Sequence, residues 1–109
     1  MGQVNLVRLG LSSIGEGGSF TLTSGVLAHH PSPGSAAISL VNAAVEAFAG
    51  AAAIEMPRHA RINVVSPPWV SETLRAMGRD PSGGLPVAVV AQAYVRSLEG
   101  TATGEVLEP

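Results

Sequence analysis

The chain contains no cysteine, which excludes disulfides, thiol catalysis and thiolate metal sites together. It has no lysine either: all six basic residues are arginines. Charged residues are scarce, at 13 % against roughly a quarter in an ordinary soluble domain. The formal net charge of −2 offers no electrostatic footprint for nucleic acid or for an acidic membrane, so neither is an expected partner. Histidine is limited to His29, His30 and His59, too few and too poorly spaced for a zinc motif, and no metal is expected. The most apolar region holds Ser, Asn and Glu, so no membrane span is expected. The apolar start is broken by Asn5 and Arg8. It does not read as a signal peptide, and the cytoplasm is the expected compartment.

Hydrophobic residues make up 46 % of the chain, which argues for a folded chain that buries most of its surface and against disorder. The 109 residues amount to one domain or less. The longest patterned stretch is SAAISLVNAAVEAFAGAAAIEM, residues 35–56. Ser35, Ser39, Asn42 and Glu46 follow one another at helical steps and predict a solvated stripe, with Glu55 also in solvent. Ile38, Val41, Val45, Phe48, Ala52 and Met56 form a second stripe, predicted to be the buried seam. Pro57 ends this helix.

Before it, Val4, Val7, Leu11 and Ile14 predict a helix over residues 1–13, with Leu6 and Leu9 widening its apolar stripe. SFTLTS at 19–24 reads as a strand. RINVVS at 61–66 reads as a second strand, covered on both faces. Short and long helices are expected over 71–77 and 86–98, the latter with Val89, Val90, Ala93 and Leu98 facing inward. GEVLEP at 104–109 reads as a last strand. Alternating helices and strands with short connections predict an α/β fold, a partial Rossmann-like doubly wound parallel sheet of about three strands with three to four helices.

The candidate sites are few. Gly15, Gly17 and Gly18 follow a helix and precede a strand, the reverse of a dinucleotide-binding turn, and read as a plain connection. His29 and His30 lie in the loop after the first strand, at the expected ligand edge of the sheet, where histidine suits acid–base work. No Asp or Glu within that loop orients them, so a solvated loop is the favoured reading. His59 is expected to meet the carbonyls ending the long helix. Ser24 ends the first strand without a G-x-S-x-G elbow around it, which disfavours a hydrolase. Trp69 and Tyr94 read as packing residues.

Four stretches in order carry a resemblance: GGSFTLTSG, VNAAVEAFAGAAAIEM, RINVVSPPWVSET and VVAQAYVRSLEGTATGEVLE. Together they resemble the C-terminal half of a short-chain dehydrogenase/reductase. The resemblance covers nearly all of this chain and implies a single partial domain over 1–109 whose N-terminal nucleotide-binding half is absent. It implies NAD or NADP as cofactor and hydride transfer to or from a carbonyl or alcohol. In the family a tyrosine protonates the carbonyl oxygen, a lysine lowers its pKa, and a serine polarises the carbonyl. Carried onto this sequence, the tyrosine position falls on Ile38, the lysine position on Asn42, and the serine position on Ser24 or on Gly25 beside it. The turn that contacts the nicotinamide falls on Pro67 and Pro68, with Trp69, Val70 and Thr73 implied beside the cofactor. The resemblance also implies a homo-oligomer through the helices at 1–13 and 35–56, where Ala43, Ala47, Gly50 and Ala51 allow close approach.

The leading expectation is therefore a truncated, inactive piece of an NAD(P)-dependent oxidoreductase that does not bind the cofactor by itself. A non-catalytic oligomerisation or cofactor-sensing module on the same scaffold is the alternative. An enzyme with His29 or His30 as proton donor is the third.

Overall fold

The computed structural model describes residues 1–109. Helix α1 (Gly2–Gly10) leads into strand β1 (Ser19–Thr23), a 3-10 turn (Val26–Ala28), helix α2 (Ala36–Ile54) and strand β2 (Arg61–Val65). Helix α3 (Ser71–Ala76), a second 3-10 turn (Pro81–Gly83), helix α4 (Val87–Glu99) and strand β3 (Val106–Leu107) follow. The strands form one sheet in the order β1-β2-β3. Both pairings are parallel, Leu22 lying opposite Val64 and Val64 opposite Val106. This is the α/β, partial Rossmann-like sheet expected from the alternation, with α2 and α4 as the crossovers that parallel neighbours require.

Each element ends about where local chemistry dictates. Pro57 cannot continue α2, and the chain turns through Arg58 and His59, both left-handed at φ 54° and 55°. Side chains other than glycine rarely adopt that conformation, and here Arg58 is held in it from outside. Its Nε donates to Ile14 O at 2.8 Å, its Nη2 donates to Leu11 O, and its own carbonyl accepts from Gly17 N at 2.9 Å. One arginine thus fastens the loop after α1 to the loop after α2. The strand β3 is shorter than expected, two residues rather than six.

The sheet separates two unlike layers. On one face Val7, Leu22, Val45, Ala49, Ile62 and Val64 form an apolar core beneath α1 and α2. On the other, Thr21 Oγ1 lies 2.6 Å from Ser97 Oγ of α4. Asn63, fully buried on β2, donates through Nδ2 to Ala102 O at 2.8 Å and accepts from Glu105 N at 3.1 Å. That polar seam corrects the face expected for α4. Val90 and Ala93 are buried as predicted, but Ser97 is inward and Val89 and Leu98 are exposed. The opposing hydroxyl and amide on β1 and β2 select serine over leucine there.

The helix α2 keeps its expected orientation from Val45 onward and departs from it before that point. Ser35 is buried and Ser39, Asn42 and Glu46 are half-buried, whereas Ile38 and Val41 are 53 % and 58 % exposed. Four of the six residues of the predicted seam, Val45, Phe48, Ala52 and Met56, meet the core. The N-terminal half lies over the loops at the sheet's carboxyl edge, where free backbone carbonyls reward polar side chains: Ser39 Oγ donates to Leu27 O at 2.6 Å. In α1 likewise Leu6 and Leu9 point outward. Overall only 16 of 109 residues are buried, far fewer than the composition suggested. By length and a mean hydropathy of 1.7, α2 is apolar enough to cross a membrane. Its place is that of a crossover between two strands of one sheet.

Candidate functional site

At the carboxyl edge of the sheet the chain leaves β1 and β2 into two loops, tied together where Val26 N donates to Pro67 O at 3.2 Å. Between them opens a cleft of about 210 Å³, smaller than the roughly 300–1,000 Å³ of a whole small-ligand site. Gly25, Val26 and Leu27 form one wall. Pro67, Pro68, Trp69, Val70 and Thr73 form the other, and Asn42 reaches in from α2. Four residues implied at the cofactor, Pro67, Trp69, Val70 and Thr73, are therefore brought together with Asn42.

The second wall is rigid by construction. Leu85 N donates to Trp69 O at 2.9 Å and Ser71 N donates to Leu85 O at 2.7 Å, a short parallel bridge that braces the turn. The guanidinium of Arg79 lies 5.1 Å from the centre of the Trp69 ring, close enough for a cation–π contact that steadies the indole. Trp69 is thus a partly exposed wall of the cleft rather than the packing residue expected. The 3-10 turn at Pro81–Gly83 is held by Asp80, whose carboxylate accepts from Ser82 N at 2.9 Å. That bond holds the Asp80 carboxyl below its ordinary range.

Two properties of the lining set its chemistry. None of its residues is ionisable near neutral pH. The amide of Asn42, with two donors and an acceptor oxygen, forms no hydrogen bond within the chain. The cleft is thus an apolar slot with one free amide and the Thr73 hydroxyl at its rim.

The remaining candidates fall elsewhere. Ser24 does not line the cleft: its Oγ donates to Glu46 Oε1 at 2.6 Å. Glu46, expected in solvent, is only 8 % exposed at its side chain and also accepts from His29 Nε2 at 2.6 Å. The tautomer of His29 with its proton on Nε2 is the one that donates to this carboxylate. A carboxylate does orient His29 after all, from the next helix rather than from the loop, and it orients the ring away from the cleft. Of the two positions considered for the family serine, Gly25 is the one in the cleft. Ile38 is exposed a turn before Asn42, outside both core and cleft. His59 meets Glu16, at 2.6 Å, rather than helix carbonyls, and that partner raises its pKa above the ordinary 6.5. Tyr94 is 2.6 Å from the Thr23 hydroxyl, on the polar layer behind the sheet. Sequence spacing did show Glu46 one turn beyond Asn42. Nothing in it showed that Ser24 and His29 would both reach that carboxylate.

A three-stranded parallel sheet with crossover helices and an apolar cleft at its carboxyl edge defines a partial Rossmann-like protein. No family model matches the chain, and no curated protein does. Solved structures do. A protein from Listeria innocua, lin1944, is 44 % identical with a TM-score of 0.90, the match covering 98 % of this chain and 55 % of that one. A small-chain dehydrogenase is 28 % identical with a TM-score of 0.83, over 99 % of this chain and 54 % of its own. A small-chain dehydrogenase in complex with NADPH is 26 % identical at 0.83, over 99 % and 56 %. The chain spans about half the length of each, and its structural neighbours are short-chain dehydrogenases.

Proposed function

We propose that the chain corresponds to the C-terminal half of an NAD(P)-dependent short-chain dehydrogenase/reductase, with a cleft that receives the nicotinamide end of the cofactor and performs no proton transfer of its own. The observation that carries this reading is the free Asn42 amide in a slot without an ionisable residue. The residues present fit one end of a dinucleotide. Trp69, Val70 and the two prolines offer an apolar surface for a flat ring, Asn42 a partner for its carboxamide or ribose, and Thr73 a hydroxyl at the rim. When bound, a reduced nicotinamide supplies a hydride. The protein's share of the family reaction, a proton delivered to the carbonyl oxygen, has no donor here. Ile38 stands at the tyrosine position, and Asn42 brings no positive charge to the lysine position. His29, the third candidate, is committed to Glu46 outside the cleft.

Binding without turnover is therefore the proposed behaviour, in place of the leading expectation that the chain does not bind the cofactor by itself, and it favours the alternative of a cofactor-sensing or scaffolding module. The exposed apolar faces of α1 and α2 support a homo-oligomer as the form in which the chain acts. The test uses Trp69, the chain's one tryptophan. Titration with NADPH should quench its emission saturably, with no consumption of NADPH in the presence of carbonyl compounds. Absence of quenching at millimolar NADPH sinks the binding reading. Steady carbonyl-dependent oxidation of NADPH sinks the claim of inactivity.

A further inference from the structure

The cleft wall made by Gly25, Val26 and Leu27 belongs to a segment with little regular structure, one 3-10 turn at Val26–Ala28. Within that turn the bonds are local: Ala28 N donates to Gly25 O, and His29 N and His30 N both donate to Val26 O. Such a turn is weakly cooperative and does not hold its place unaided. The segment's first residue continues the ladder of β1, Ser24 N donating to Val65 O at 2.9 Å. Two further ties are single bonds, Val26 N to Pro67 O and Ser39 Oγ to Leu27 O. The last tie is of a different kind. Ser24, just before the wall, and His29, just after it, both donate to the one carboxylate of Glu46, each at 2.6 Å.

We infer that Glu46 is a positioning residue of the cleft: one carboxylate on α2 clamps both ends of residues 24–29 and so fixes the wall that faces Asn42. The geometry explains three otherwise unconnected facts. A carboxylate sits 8 % exposed with no arginine beside it, yet both of its oxygens are engaged. Ser24 is buried but directed away from the cleft. Gly25 is held so close to Asn42 that a Cβ at that position would lie 2.9 Å from the amide nitrogen. Hydrogen bonds to a charged acceptor are stronger than the neutral ones elsewhere in the segment. Glu46 and Asn42 are also one helical turn apart, so the residue that fixes the wall and the residue that faces it share a rigid support. This inference rests on the cofactor reading only in its consequence for binding.

Amide hydrogen exchange on the 109-residue chain tests the clamp without any ligand. In Glu46→Ala the amides of Ala28, His29 and His30 should exchange about tenfold faster or more, while Val64 on the central strand is unchanged. Glu46→Gln should restore slow exchange, because its amide can still accept from Ser24 and can donate to the other tautomer of His29. If Glu46→Ala fails to fold, Ser24→Ala and His29→Ala each cut one link and should each give a smaller acceleration. In the NADPH titration the half-saturating concentration should rise several-fold in Glu46→Ala and recover in Glu46→Gln. Unchanged exchange in the loop amides of these variants overturns the clamp. If the parent chain shows no quenching while the exchange effect stands, the cofactor reading falls and the clamp survives.

Discussion

Two glycines at the cleft separate a site effect from a structural one. At Gly25 the backbone is extended, a conformation open to any residue, and the nearest obstacle to a Cβ is the Asn42 amide at 2.9 Å. That amide is the end of a flexible side chain, so Gly25→Ala should cost less than about 1 kcal/mol of stability. It should nevertheless displace the amide and weaken NADPH quenching by about five- to tenfold. At Gly84 a Cβ would meet Trp69 O at 2.8 Å and Ser71 N at 2.9 Å, both backbone atoms of the braced turn. Gly84→Ala should therefore destabilise the fold by roughly 1–3 kcal/mol, read as a lower urea midpoint. Equal effects of the two substitutions on stability would contradict this division. Two surface groups have displaced pKa values that make their contributions depend on pH. Asp80 is held below its ordinary 3.8 by the Ser82 N–H, so its contribution is present above that value and is lost as pH falls through the lower folded value. His59 is held above 6.5 by Glu16, so its contribution is complete below 6.5 and fades as pH rises through the raised value. An NMR titration should find the His59 midpoint above 6.5 and returning toward it in Glu16→Gln. No movement in that variant would remove Glu16 as the cause.

At the scale of elements, the sequence revealed which segments are helix and strand more surely than which way each helix faces. The parallel sheet, its strand positions and the turn at Pro67 and Pro68 that ends β2 were legible, because β-branched runs and prolines leave few alternatives. The faces of α4 and of the N-terminal part of α2 were not. Periodicity identifies a stripe, and the convention that its apolar side is buried assumes an apolar partner. The N-terminal half of α2 meets loop carbonyls and Ser24 instead, so Ser39 and Glu46 turn inward and Ile38 and Val41 turn out. The helix α4 meets Thr21 and Asn63, so Ser97 turns inward. Such tertiary partners are invisible to a window of adjacent residues. The outward stripe of α2 yields a prediction opposite to that for a core seam. Ile38→Ser and Val41→Ser together should leave the unfolding midpoint of the monomer within about 0.5 kcal/mol, the usual range for surface changes. The pair should also lower self-association in light scattering. A large loss of stability with unchanged association would return Ile38 and Val41 to the core.

The whole molecule is a thin slab, 45 × 28 × 18 Å, with a radius of gyration of 14.8 Å against about 13 Å for a compact domain of this size. A folded monomer of 11.0 kDa exposes about 5,600 Å² on the usual scaling, whereas this chain exposes 6484 Å². The excess, roughly 900 Å², is close to the approximately 800 Å² that each partner contributes to a standard stable interface. Its composition points the same way, since Leu6 and Leu9 on α1 and Ile38, Leu40 and Val41 on α2 are all exposed. The free edge of β1 is only partly blunted. Gln3 imitates a neighbouring strand at one residue, its Oε1 accepting from Thr23 N at 2.7 Å and its Nε2 donating to Thr23 O at 2.8 Å. The rest of that edge remains able to pair. In the proposed homo-oligomer part of the chain's core is covered only by association, and the chain's stability should then be coupled to its concentration. Its melting temperature should therefore rise by a few degrees for each tenfold increase in protein, as mass action requires when the folded form self-associates. The Ile38→Ser, Val41→Ser pair should flatten that dependence. A melting temperature independent of concentration, with a monomeric mass at the highest concentration reached, would show that the slab is stable alone and that its apolar faces serve no copy of itself.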